Sequence, residues 1–150
     1  MKTIKTLALF VIGLITLSCN SNVEPKTTDL TKTDELIKDN YVAIYDFHNE
    51  HRCVTCIKIE NAVRNILDES FKPELEKGQL TFELFNCEAD ENQELAEEYG
   101  AFGTTLAITV IKDGNKEILD LTNWAFEMVD SDEFNTEFSK DVKTALAKLN

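Results

Sequence analysis

The feature that most restricts the fold of this chain is a cysteine pair, Cys53-Val54-Thr55-Cys56, lying between two segments of different periodicity. Residues 41–48 (YVAIYDFH) are β-branched and aromatic, as in a strand. They are apolar almost continuously up to Asp46, as in a central strand covered on both faces. From Cys53 to Phe71 the apolar residues recur instead with helical spacing, at Ile59, Val63, Ile66 and Leu67. The cysteine pair therefore marks a strand-to-helix junction.

The remaining patterns predict three more strands and two more helices. Strands are predicted at 80–87, 106–112 and 116–121, and helices at 91–99 and at 131–149, the last capped by Ser131. Asp113-Gly114 indicates a hairpin between the last two strands. A strand-helix-strand start favours a right-handed parallel crossover. With a weak helix at 29–39, the predicted order is (α)βαβαββα: an α/β fold with a central four-stranded mixed sheet flanked by helices.

Length and charge limit the classes of function. The chain has 150 residues, which is one domain, and 43% of them are hydrophobic, which is enough for a core. Its 15 Lys and Arg face 28 Asp and Glu, giving a net charge of -13. Such a surface repels phosphate backbones, so no nucleic-acid partner is expected. It also repels anionic headgroups, so any membrane attachment needs something other than a basic patch.

The N-terminal segment has the pattern of an export signal. Lys2 and Lys5 precede an apolar run, 7–17, that is too short to span about 30 Å of hydrocarbon comfortably. The run ends at Leu17-Ser18-Cys19, which resembles a bacterial lipobox, in which the cysteine becomes the new N-terminus and carries lipid. A plain secretory peptide is the alternative. We expect a lipoprotein signal at 1–18, lipidation of Cys19, a polar tether at 19–32 and a domain at 33–150. The protein would then be lipid-anchored in the bacterial cell envelope, facing the periplasm or the exterior.

The cysteine pair is the candidate site of chemistry. A helix that begins at Cys53 points free N–H groups and its positive dipole end at that sulfur, which lowers a thiol pKa. Cys56 lies one turn further on, within reach to form a Cys53–Cys56 disulfide. A CxxC in a βαβ context is the signature of a thioredoxin-like redox centre.

Three neighbouring residues are candidates for supporting roles. Arg52 and His51 would stabilise a thiolate by their charge, or are solvated loop residues. Asp46 would accept the proton of Cys56, or is a polar residue at the end of a strand.

Two other roles for the cysteines stay open. An exported chain can use the pair as a static structural disulfide. Alternatively, zinc or copper would accept the nitrogen and sulfur donors of a set comprising His48, His51, Cys53 and Cys56. No organic cofactor is expected, because the chain has no GxGxxG motif and no phosphate loop.

Residues 41–150 resemble the thioredoxin superfamily. Asp46-Phe47 corresponds to a buried acid and Phe that often precede the motif. The segment 99–103 followed by Thr104-Thr105 is similar to the family's approach to its cis-proline loop, with threonine where proline is usual. The resemblance implies a thioredoxin-like fold, thiol–disulfide exchange at Cys53 and Cys56, and a supporting role for Thr105.

A narrower resemblance rests on four dipeptides, at 47–48, 52–53, 55–56 and 59–60. They resemble a small group of exported bacterial proteins described as ArsF-type, or nitrophenyl compound nitroreductase subunit.

Three hypotheses of function follow from these patterns. The first is a membrane-tethered extracytoplasmic thiol–disulfide oxidoreductase. It would act on a protein or small-molecule thiol or disulfide and exchange electrons with an unknown membrane or periplasmic donor. The second is a lipoprotein that binds a soft metal or metalloid through Cys53 and Cys56 with His51. The third is a non-catalytic subunit of a redox complex.

Overall fold

A computed structural model describes residues 39–150. The predicted signal segment, the lipidation site Cys19, the tether and all but the last residue of the helix predicted at 29–39 lie outside the described residues. None of the helices between residues 39 and 150 is long and apolar enough to cross a membrane.

The described chain forms four strands and five helices. The strands are β1 (Tyr41–His48), β2 (Leu80–Asn86), β3 (Thr105–Lys112) and β4 (Asn115–Asp120). The helices are α1 (Val54–Ser70), α2 (Lys72–Glu76), α3 (Gln93–Glu98), α4 (Thr122–Met128) and α5 (Phe134–Ala147), and a single 3-10 turn at Asp90–Asn92 precedes α3.

The strands make one mixed sheet in the order β2-β1-β3-β4. β1 is parallel to β2 and antiparallel to β3, and β3 is antiparallel to β4. This topology confirms the predicted α/β fold with a central four-stranded mixed sheet of the thioredoxin-like kind. It also brings the carboxyl ends of β1 and β2 and the start of β3 to one edge of the sheet, which is where ligands meet an α/β sheet. We call this the reactive edge, because β1 leads from it into the cysteine pair.

The two faces of the sheet carry separate cores. Alternate residues of β1, such as Val42 and Ile44, pack with the buried side chains of α1, α4 and α5. On the other face Phe47 packs with Ala96 of α3 and with an aromatic group formed by Tyr45, Phe85 and Tyr99. Burying each large apolar side chain contributes about 1.5–3 kcal/mol. Because Val42 and Ile44 pack on one face of the sheet and Phe47 on the other, residues of β1 point alternately towards α1 and towards α3.

Two turns follow the sequence pattern. Asp113 and Gly114 have φ of 52° and 76°, as a two-residue hairpin between twisted strands requires. Gly100 ends the α3 segment with φ of 60°, where a side chain would be strained.

The structure differs from the predicted element order at three places. Pro73 does not simply end α1; it lies in the first turn of the short helix α2, where a missing N–H costs nothing. The predicted loop after β4 contains α4, which has no side-chain cap to signal it. Ser131 does not cap α5. Its hydroxyl accepts from the N–H of Glu133 at 3.1 Å, and Glu133 is the residue that precedes the helix.

Candidate redox site

The cysteine pair lies at the first turn of α1. Cys53 is the N-cap residue, with an extended backbone (φ -76°, ψ 158°), and its carbonyl accepts the N–H of Ile57 at 3.1 Å. Its sulfur accepts the N–H of Cys56 at 3.0 Å. Short polar side chains usually fill this role, because an oxygen there satisfies a free donor of the first turn. Here the sulfur of Cys53 takes that position.

Cys53 and Cys56 form a disulfide, with 5.1 Å between their Cα atoms. The two residues differ in access to solvent: Cys53 is exposed, whereas Cys56 is buried with 5% of its surface accessible. An external thiolate can therefore approach the Cys53 sulfur much more readily than the Cys56 sulfur.

Asp46 lies beneath the motif helix in the interior of the protein. It is fully buried, and neither carboxyl oxygen has a hydrogen-bond partner. Strand alternation places it on the face with Val42 and Ile44, against which α1 packs. The pKa of Asp46 is raised to about 7, chiefly by burial; the positive charges of Arg52 and Arg64 oppose the rise, and the negative charge of Glu60 adds to it. Asp46 is thus a carboxyl group that exchanges a proton near neutral pH.

Arg52 turns away from the motif towards an acid of α1. Its guanidinium is paired with Glu60, which also accepts from Nε of Arg64 at 2.7 Å. Both Arg52 and Glu60 are largely covered, at 19% and 12% side-chain exposure. Burial alone would raise the pKa of Glu60, but the hydrogen bonds and charges of the two arginines hold it below its usual value. Arg64 in turn lies over the ring of Phe82, 4.7 Å from its centroid.

The charge of Arg52 also reaches the buried Asp46. The Nε and Nη2 atoms of Arg52 are buried without a partner. Because its charge lowers the pKa of Asp46, Arg52 acts electrostatically on the buried acid.

The two histidines make their contacts away from the cysteine sulfurs. His48 is half-buried and its Nδ1 lies 2.9 Å from the carbonyl of Asn49, while His51 is exposed. Among residues 39–150, no group of three or more His, Cys, Asp or Glu side chains is arranged to hold a metal ion. The structure does not bring the four candidate ligands His48, His51, Cys53 and Cys56 together in that part of the chain.

Thr105 begins β3 at the reactive edge. It pairs with Phe47 across the sheet, is 8% exposed, and its hydroxyl donates to the carbonyl of Gly103 at 3.4 Å. Its position opposite Phe47 puts it on the α3 face, whereas Asp46 lies on the α1 face. The loop before Thr105 comes close to the loop before the motif, since a Cβ on Gly103 would lie 3.4 Å from Oδ1 of Asn49.

Two contacts at the site were not predicted from the sequence. Asn49 connects the motif loop to the end of β2: its Oδ1 lies 3.7 Å from the sulfur of Cys87, and its Nδ2 donates to Glu88 at 3.2 Å. Burial raises the pKa of the Cys87 thiol.

The role of Glu60 could have been predicted from the sequence. Glu60 lies four residues after Cys56 and four before Arg64, so the three residues share one face of the helix. The contacts of Asn49 could not have been predicted in this way, because its partners come from distant segments of the chain.

The likeness of this chain to known proteins lies among solved structures. No protein-family model matches the chain, and no curated protein matches it. Among solved structures it is similar to the solution structure of a thioredoxin from Thermus thermophilus, at 22% identity and a TM-score of 0.45. The match covers 72% of this chain and 75% of that one. By its own strand order and by the position of its cysteine pair, the described part of the chain has a thioredoxin-like fold.

Proposed function

We propose that this protein is a thiol–disulfide oxidoreductase that works outside the cytoplasm, tethered to a membrane through Cys19. One observation carries the redox part of the proposal: Cys53 and Cys56 form a disulfide across the first turn of α1, with one sulfur exposed and the other buried. A static structural disulfide has no need of that asymmetry. An exchange reaction needs it, because an incoming sulfur must attack one cysteine and release the other.

In the reducing direction the exchange proceeds in two steps. The Cys53 thiolate attacks one sulfur of a substrate disulfide, the substrate S–S bond breaks, and one substrate thiolate leaves. The Cys56 thiolate then attacks the Cys53 sulfur, which re-forms the Cys53–Cys56 disulfide and releases the second substrate thiolate. Two electrons pass from the protein to the substrate. The oxidising direction is the same sequence in reverse, starting with attack of a substrate thiolate on Cys53.

Asp46 accepts the proton of Cys56 in this scheme. Cys56 must lose its proton to attack, and it is buried where water has little access. A carboxyl group with a pKa of about 7 on the same side of the sheet accepts that proton near neutral pH. Arg52 tunes Asp46 through its charge, and His51 lies exposed in the loop before the motif. Thr105, at the start of β3, shapes the opposite side of the approach to Cys53.

The proposed location and partners of the protein rest on the sequence. The short apolar run ending at Leu17-Ser18-Cys19 supports export and lipidation. An oxidoreductase held in the cell envelope needs a membrane or periplasmic partner to restore its redox state after each turnover. Its substrate would be a thiol or a disulfide of a protein or of a small molecule.

The reduction potential of the Cys53–Cys56 pair tests the redox proposal most directly. We expect a reversible two-electron couple that equilibrates with a dithiol buffer, and we expect Cys56→Ser to accumulate mixed disulfides through Cys53. Cys87→Ser is the matched control and should trap nothing. A pair that resists reduction until the protein unfolds would make the disulfide structural and refute the proposal. Stoichiometric zinc or copper on the reduced protein, isolated without chelator, would favour the metal-binding alternative instead.

A further inference from the structure

We propose that the reactive edge recognises a cationic polypeptide: a disulfide- or thiol-bearing segment with Lys or Arg beside an apolar side chain. The inference rests on the proposed function and adds the class of substrate. It follows from two observations, exposed apolar side chains next to the cysteine pair and a scarcity of Lys and Arg at the reactive edge.

The apolar patch consists of Val54, Ile57 and Phe102. Their exposed fractions are 76%, 42% and 85%, which is high for large apolar side chains. Val54 and Ile57 are three residues apart in the first turn of α1, so they share a helix face beside Cys53. Phe102 lies in the loop that leads into Thr105, and Gly103 in that loop approaches Asn49 of the motif loop. Val54 and Ile57 therefore lie beside Cys53, Phe102 lies in a loop that approaches the motif loop, and all three offer apolar contact area to a partner.

Two long segments without Lys or Arg follow strands that end at the reactive edge. The sequence has no Lys or Arg from 78 to 111, which covers the end of β2, the 3-10 turn, α3 and the Phe102 loop. It has none from 117 to 139 either, which covers most of β4, α4 and the start of α5. The exposed acids that follow the reactive-edge end of β2 or β4 in these two stretches include Glu88, Asp90, Glu91, Glu127, Asp130, Asp132 and Glu133.

The lysines lie mainly at the other end of the sheet. The β3–β4 turn carries Lys112 and Lys116, and Lys148 lies beside it, because Lys112 donates to the carbonyl of Lys148 at 2.9 Å. Lys72 begins α2 and Lys77 follows it, and α2 itself follows the far end of α1. The antiparallel direction of β3 puts its Lys112 end opposite the reactive edge.

The cations near the motif are already paired. Arg52 and Arg64 both bind Glu60, and Lys58 binds Asp130 at 2.8 Å. Lys58 offsets Asp130, and Arg52, Arg64 and Glu60 together carry one net positive charge, so the remaining exposed acids leave the reactive edge negative. A cleft with one sign of charge raises the local concentration and the association rate of ligands with the opposite sign.

The two features act on different parts of binding. Contact with Val54, Ile57 and Phe102 removes apolar surface from water and favours a polypeptide over a small thiol. The acidic field steers cationic partners to the edge and repels anionic ones. An anionic low-molecular-weight disulfide should therefore be a poor substrate, and a basic polypeptide a good one.

Three synthetic cystine peptides test the inference. They share one sequence with a single aromatic residue and differ only in the two residues beside each half-cystine: Lys, Gln or Glu. The full chain is reduced with dithiothreitol, freed of it, and mixed with each peptide, and the second-order rate is divided by the rate of dithiothreitol with the same peptide. We expect the Lys peptide to react at least about tenfold faster than the Glu peptide in low salt. The ratio should shrink towards one near 1 M salt, where the Debye length is about 3 Å.

Matched variants locate the effect. Glu91→Lys with Glu127→Lys reverses two exposed charges near the reactive edge, and Glu69→Lys with Glu76→Lys makes the same net change at the far end of α1 and on α2. The first pair should lower or invert the preference for the Lys peptide, and the second should leave it within about twofold. Phe102→Ser should slow all three peptides without changing their order.

Each other result overturns the inference in a different way. Equal normalised rates for the three peptides would leave the oxidoreductase intact and remove the cationic substrate class. An effect shared by both pairs of variants would mean that net charge acts without a localised surface. A dimer that covers Phe102 at working concentration would mean that a second copy of the chain occupies the patch. Failure to react with any peptide, and with dithiothreitol, would refute the proposed function as well.

Discussion

The backbone N–H of Cys56 points at the sulfur of Cys53, 3.0 Å away. The donor belongs to the first turn of α1, whose N–H groups have no partner within the helix. When the disulfide is reduced, the same donor faces a thiolate instead of a neutral sulfur, and a charged acceptor makes the stronger hydrogen bond. The helix start therefore stabilises the nucleophilic form of Cys53, and the same geometry gives Cys56 no equivalent donor of its own.

We predict that Cys53 is the first thiol to react when the reduced protein meets an alkylating agent near pH 6. Its sulfur is exposed and faces the helix N-terminus, Cys56 is buried, and burial raises the pKa of Cys87. A difference of about tenfold or more in rate is expected from thiolate fraction and access together. Mass spectrometry of peptides after brief labelling measures it. Preferential labelling of Cys56 or Cys87 would contradict the geometry described for α1.

Asp46→Asn should stabilise the oxidised protein, and more so at pH 8 than at pH 4. The folded-state pKa of about 7 lies above the ordinary value of 3.8. Below about pH 3 both states hold most of their protons, and at pH 4 little stability has yet been lost. Between about pH 4 and 7 only the unfolded state ionises, so the wild type loses stability as the pH rises. The loss levels off above pH 7, at about 4 kcal/mol at most.

Asparagine does not ionise and escapes that penalty. Urea unfolding at several pH values measures the difference between the two proteins. A difference that stays constant with pH would mean that Asp46 has the same pKa in both states.

The same substitution should slow the step in which Cys56 resolves a mixed disulfide. In the wild type this rate should rise with pH through an ionisation near 7, because Asp46 must be unprotonated to accept the proton of Cys56. We expect Asp46→Asn to lose that inflection and to react about tenfold to a hundredfold more slowly at pH 7. Stopped-flow release of the second substrate thiol follows the step. Asp68→Asn, on the exposed side of α1, is the control and should behave as the wild type.

Glu60→Gln should cost about 1–3 kcal/mol of stability, because it leaves two arginines without their carboxylate and one of them, Arg52, is largely buried. Its matched control is Asp130→Asn, which breaks the exposed pair with Lys58 and should change stability by no more than about 0.5 kcal/mol. Thermal unfolding of the oxidised proteins compares the two. Equal small effects would show that the Arg52–Glu60–Arg64 bridge is energetically an ordinary surface ion pair.

Cys19→Ser should release the protein from membranes, because the lipid is the only attachment that the sequence predicts. Fractionation of cells after a high-salt wash measures the change, since the wash removes proteins held by charge alone. A variant that stays with the membranes would show that attachment does not depend on lipidated Cys19.

The fold was predictable to the extent that local patterns specified it. β1, the span of α1 and the hairpin at Asp113-Gly114 follow from periodicity and turn chemistry, which act between residues close in sequence. The helices α2 and α4 were missed, because each is a single short element without a capping signal and is held by packing on the rest of the fold.

The features of the candidate site were likewise predictable only where they depend on residues close in sequence. The sequence by itself determined the cysteine pair and its place at the start of a helix, because both depend on neighbours within one or two turns. Only the tertiary structure decided that neither carboxyl oxygen of the buried Asp46 has a hydrogen-bond partner, that Arg52 pairs with Glu60, and that most lysines lie at the end of the sheet away from the cysteine pair. Burial and charge segregation depend on which distant segments the sheet brings side by side, and the strand order β2-β1-β3-β4 sets that arrangement.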